Sequence, residues 1–130
     1  MMDRVLVAVD DSGPALAAAE FAIGIARSRP IELNFVTVRE PDRDADALLR
    51  HVETLAAESG ITVSTTVCDD GHPFDALLGV AASWQADLIV MGRSDMRRPG
   101  APYVGSQTEH LLEFTDIPVL VVPSPPKKPR

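Results

Sequence analysis

The sequence predicts an α/β fold, a doubly wound sheet of five parallel strands covered on both faces by helices. Two observations carry that prediction. Three short runs, RVLVAV at 4–9, DLIVM at 87–91 and PVLVV at 118–122, are continuously apolar, as strands buried on both faces are. Between these runs, and between them and two weaker strand candidates, lie helical patterns. Strict alternation of strand and helix implies right-handed crossovers joining parallel neighbours in a three-layer, Rossmann-like α/β/α arrangement.

The elements follow in order. The first strand closes on Asp10, Asp11 and Ser12, and Pro14 stands at the entrance of the first helix, PALAAAEFAIGIARS, where a missing N–H does no harm. The second strand, IELNFVTV at 31–38, alternates partly, as a strand nearer a sheet edge does. In the second helix, DADALLRHVETLAAES, the residues Ala47, Leu48, His51, Val52, Leu55 and Ala56 recur at the spacing of one buried face. Arg50, Glu53 and Glu58 fall elsewhere, and Gly60 supplies a C-terminal cap. ITVSTTV at 61–67 is the third strand, again partly alternating, and Pro73 opens the third helix, PFDALLGVAASWQ. Trp84, near the end of that helix, reads as a packing residue. After the fourth strand come a long loop, a fourth helix from SQTEHLLEF, and the last strand. One domain over 1–123 is expected, and the tail 124–130, rich in proline and lysine with nothing apolar to anchor it, is expected to be disordered.

A chain of 130 residues that is 45% hydrophobic can bury a real core, and its net charge of −7 argues against nucleic acid or anionic membranes as partners. Cys68 is the single cysteine, so no intrachain disulfide can form, and no cation adjoins it in VCDD. No segment approaches eighteen consecutive apolar residues and the start lacks an export pattern, so a cytoplasmic location is expected. His51, His72 and His110 lack the spacing of a metal motif, and no metal site is expected. Nor does placement bring together a Ser-His-Asp or Cys-His arrangement, so an efficient enzyme is not expected.

Ligands of doubly wound sheets bind beyond the C-terminal ends of the strands, where the strand order reverses. With the first strand central, its end VDDSG shares one crevice with the loop MGRSD. A helix beginning near Ser106 aims unpaired N–H groups at that crevice, which suits an anion. Ser106 also forms a capping box with Glu109, and Asp10 can serve as a helix start together with Asp11 and Ser12. Gly100 to Gly105 has the glycine spacing of a P-loop, but Ser106 and Gln107 follow where a lysine would be needed.

These residues resemble the universal stress protein family over essentially the whole chain, from DRVLVAVDDS through DLIVMG to VGSQTEHLLEFTDIPVLVV. Nucleotide-binding members carry a loop of glycine, two residues, glycine, nine residues, glycine, then serine or threonine. Gly92, Gly105 and Ser106 match it with the same spacing, and Asp95 stands where the second glycine belongs. The resemblance implies strand order 3-2-1-4-5 and a site for ATP. In it the residues matched by Asp10 and Val38 hold adenosine, and those matched by Gly92, Gly105, Ser106 and Thr108 surround the phosphates. It also implies a homodimer formed through the last strand, and at most slow ATP hydrolysis.

Asp95 divides the functional reading. A carboxylate about 4 Å from a phosphate charge costs on the order of 4 kcal/mol at an effective dielectric near 20, roughly a thousandfold in affinity if nothing compensates. Arg93, Arg97 and Arg98 flank it, and a Mg²⁺ between carboxylate and phosphate would also compensate. One reading is a stress-response regulator that binds an adenine nucleotide. The other is a module of the same fold that has lost ATP and works through its dimer or a protein partner. A regulatory domain attached to, or partnered with, a transporter or kinase is a third.

Overall fold

The computed structural model describes residues 3–9, 13–39, 44–69, 73–92 and 115–123. They form β1 (Arg4–Ala8), α1 (Gly13–Ser28), β2 (Glu32–Val38), α2 (Ala45–Glu58), β3 (Ser64–Cys68), α3 (Pro73–Trp84), β4 (Leu88–Gly92) and β5 (Val119–Val122). Every pairing is parallel, and the five strands lie in the order β3-β2-β1-β4-β5. Fold class and strand order are those the sequence led us to expect. The expected fourth helix and the tail 124–130 lie outside the described residues.

The pleat of the strands sorts the core into two layers. Val5, Val7, Leu33 and Phe35 pack on one face with Ala18, Ala22, Val52 and Ala56 from α1 and α2. Leu6, Val36, Ile89 and Met91 pack on the other with Leu77 and Ala81 of α3. α1 turns Ala15, Ala18, Ala19 and Ala22 inward, and such small side chains let the helix backbone approach the sheet closely. Phe35 is the largest fully buried side chain among the described residues, and burying such a ring contributes about 2–3 kcal/mol.

β2 departs from its expected character. It is buried over five successive residues, 33–37, and β3 alone takes the edge on that side. Its alternation arises from two polar residues inside the sheet, Asn34 and Thr37, rather than from a solvent-facing row. Thr66 of β3 donates its hydroxyl to Asn34 Oδ1 at 3.1 Å, which offsets part of the cost of burying the amide.

Both ends of α2 are built by side-chain and backbone chemistry. Asp44 caps the start, its carboxylate accepting from the Ala47 N–H at 3.0 Å. At the other end the Ile61 N–H donates to Ala56 O and the Gly60 N–H to Ala57 O, while Gly60 takes φ +76°. That is a Schellman closure, with glycine at the left-handed position. The buried stripe is Ala45, Leu49, Val52 and Ala56, with Leu48 and Leu55 half-buried at its flank. His51 and Ala47, expected on the buried face, are exposed. At about 100° per residue His51 lies roughly 130° from the centre of that stripe, too far round the helix to reach the sheet.

The N-terminal end of the sheet is closed by one carboxylate. Asp87 Oδ2 accepts from the backbone N–H groups of Asp3 and Arg4, each at 2.9 Å, and those two bonds hold the Asp87 carboxyl below its ordinary pKa. Arg4 in turn donates to the Trp84 carbonyl at 2.8 Å and stands 5.8 Å from the centre of its ring. Trp84 is half-buried against the α3-side core, the packing role expected of it.

Candidate functional site

β1 sends its chain to β2 on one side, whereas β3 returns across the sheet to β4 on the other. The strand order therefore reverses between β1 and β4, the position beyond whose C-terminal strand ends sheets of this kind bind their ligands. Ala8 pairs with Val36 and Val7 with Val90. Continuing those registers brings Val9 level with Thr37 and with Gly92, and the Val9 N–H donates to Val36 O at 2.9 Å.

Two of the predicted site residues fall within the described chain. Val38 is the last residue of β2, half-buried and in register with Cys68. Gly92 is the last residue of β4, in register with Val122. Both stand at the C-terminal edge, one on either side of the end of β1. Asp10, Gly105, Ser106 and Thr108 lie outside the described residues, as do Asp95 and Arg93, Arg97 and Arg98.

Beside Val38 the edge is tied down by an ion pair. Arg39 Nε donates to Asp69 Oδ1 at 2.7 Å, and the Arg39 N–H donates to Cys68 O at 2.8 Å. The side-chain hydrogen bond to Asp69 and the charge of that carboxylate raise the guanidinium pKa further, so Arg39 remains cationic throughout the accessible range. With its charge already engaged, Arg39 adds little net attraction for an anion at this edge.

A second concavity lies on the α3 face, beside β3. It is an open cleft of about 580 Å³, floored by Asn34, Thr66 and Cys68 and walled by Asp75, Gly79 and Ser83. Sequence reasoning did not single out Asn34. Its signal was a lone amide inside an otherwise apolar stretch, LNFV, and only the crossing of α3 over β2 and β3 gives that signal a location.

The universal stress protein family profile matches residues 1–56 and 40–123. The chain belongs to the universal stress protein family. A universal stress protein of Thermus aquaticus is 30% identical to it over 136 residues, spanning 94% of this chain and 99% of that one. A universal stress protein solved in complex with cAMP superposes with a TM-score of 0.79 at 26% identity, covering 95% of this chain and 98% of that one. Another, from Archaeoglobus fulgidus and in complex with dAMP, superposes with a TM-score of 0.68 at 20% identity, covering 94% and 98% of the two chains, a likeness of fold. Among the described residues no helix is long and apolar enough to cross a membrane.

Proposed function

We propose that this universal stress protein binds an adenine nucleotide at the C-terminal edge between β1 and β4 and acts as a cytoplasmic stress sensor or regulator, not as a metabolic catalyst. The observation that carries the reading is the pair Val38 and Gly92, which end β2 and β4 on either side of the end of β1. A half-buried valine at a strand end suits the apolar face of a base, and a glycine lets backbone approach a phosphate closely. The relative in complex with cAMP supports the adenine class. Asp10 and Val38 hold adenosine, and Gly92, Gly105, Ser106 and Thr108 the phosphates. With ATP as ligand, Mg²⁺ or the flanking arginines offset the charge of Asp95.

Asp95 favours a second reading, a dimeric interaction module whose ATP site is lost. The two separate in a titration of ATP, with AMP beside it, into the wild type and Asp95→Gly. The nucleotide reading expects saturable binding to the wild type that tightens in the variant, and binding by the variant alone would sink it. A mass spectrum of ligand released from the purified protein identifies the occupant without presuming it.

A further inference from the structure

The cleft beside β3 is chemically unlike the edge between β1 and β4. Asn34, at its floor, is only 4% exposed, yet among the described residues only one end of its amide is engaged. Its Oδ1 accepts from Thr66 Oγ1 at 3.1 Å, and among the described residues no acceptor meets its NH₂. No buried side-chain nitrogen or oxygen among the described residues is sealed off without a partner, so that NH₂ opens on the cleft. A buried amide with a spare donor facing a cavity is the arrangement of a recognition group.

The walls fit the same purpose. Asp75, Gly79 and Ser83 recur every fourth residue along α3 and so share the face that borders the cleft. Glycine weakens a helix interior relative to alanine, and a Cβ at Gly79 would meet nothing within 4 Å. Packing therefore does not require glycine there, and its effect is to leave the wall open. Asp75 is exposed and has no cationic partner among the described residues, whereas Asp69 across the mouth is engaged by Arg39. Asp75 in the first turn complements the helix dipole, and among the described residues lining the cleft it is also the one charge without a counter-ion. A ligand must accept from Asn34, exchange hydrogen bonds with Thr66 and Ser83, and present a cation to Asp75.

We propose that this cleft is a second binding site, for a small hydroxylated molecule carrying a primary amine. Anionic molecules, nucleotides included, are disfavoured by the unpaired Asp75 carboxylate at its mouth, so occupancy is independent of the nucleotide reading.

Trp84 is the only tryptophan in the chain and borders the cleft, so its emission reports on the site. The test is a titration of the intact protein with glucosamine as probe, glucose and glucose 6-phosphate serving as neutral and anionic controls. A saturable emission change with glucosamine in the millimolar range is expected, about tenfold weaker with glucose and absent with the phosphate. Gly79→Leu fills the cleft and should abolish the response. Asp75→Asn should bring glucosamine down to the affinity of glucose, and because Asp75 is exposed it keeps the test decisive should Gly79→Leu fail to fold. Added ATP should leave the titration unchanged. No saturable change, an equal response to all three sugars, or an undiminished response in either folded variant overturns the proposal.

Discussion

Asp87 closes the N-terminal end of the sheet by accepting two backbone N–H groups at the start of β1, and those bonds lower its pKa in the folded state. The folded value lies below the unfolded one, near 4, so its stabilisation is present above that range and is lost as pH falls through the folded value. Asp87→Asn should lower the melting temperature at neutral pH, and the gap from wild type should close on acidification below the usual carboxylate range. A gap that persists undiminished at pH 2 would show that the amide loses something other than the charge. At this scale the sequence was legible unevenly. Val38 and Gly92 were singled out by the family resemblance, and their place at strand ends was legible because a strand end is where an apolar run stops. Asn34 and Thr37 were misleading, since a polar residue in a strand looks solvent-facing until a cross-strand hydroxyl or a helix overhead accounts for it. His51 was misplaced by one helical step, because Leu48 and Leu55 beside it are apolar and widen the apparent stripe.

α2 and α3 end in the same hydrogen-bonded closure with different residues. α2 has Gly60 at the left-handed position, and α3 has Gln85 there at φ 58°, with the Gln85 and Ala86 N–H groups donating to Ala82 and Ala81. A side chain in that conformation costs about 1 kcal/mol. Gln85→Gly should therefore stabilise the protein by up to about 1 kcal/mol, and Gly60→Ala should destabilise it by a similar amount, both read from urea unfolding midpoints. Equal signs for the two substitutions would contradict the assignment. The Gly60 closure was legible because glycine announces the left-handed position. Gln85 was not, since nothing in glutamine advertises positive φ and the conformation is imposed by Ala86, whose buried methyl anchors the turn into β4.

Across the whole molecule the two edge strands of the sheet differ. β3 presents STTVC and β5 presents VLVV, both half-buried. An apolar edge invites pairing with another strand, which suits the homodimer through the last strand that the family resemblance implies, and we propose β5 as its seam. Val121→Lys should convert a dimer to a monomer in sedimentation velocity while leaving the circular dichroism spectrum intact, and a monomeric wild type would refute the arrangement. The architecture was legible at this scale because continuous apolar runs separated by helices admit few topologies. The cleft beside β3 was not, since it depends on where α3 crosses two strands that precede it in the chain.

The bond from the Asp3 amide to Asp87 spans 84 residues. β1 occupies the centre of the sheet, yet only β2 of its two neighbours follows it closely in the chain. On a ribosome adding about 5–20 residues per second, β1 waits roughly 4–17 s for β4 to be made. Throughout that interval RVLVA has one row of backbone N–H and C=O groups unpaired. The strand best protected in the finished protein is therefore the one most exposed to wrong partners while the chain is being made, and crowding of nascent copies on one message is where misassembly of this fold would begin.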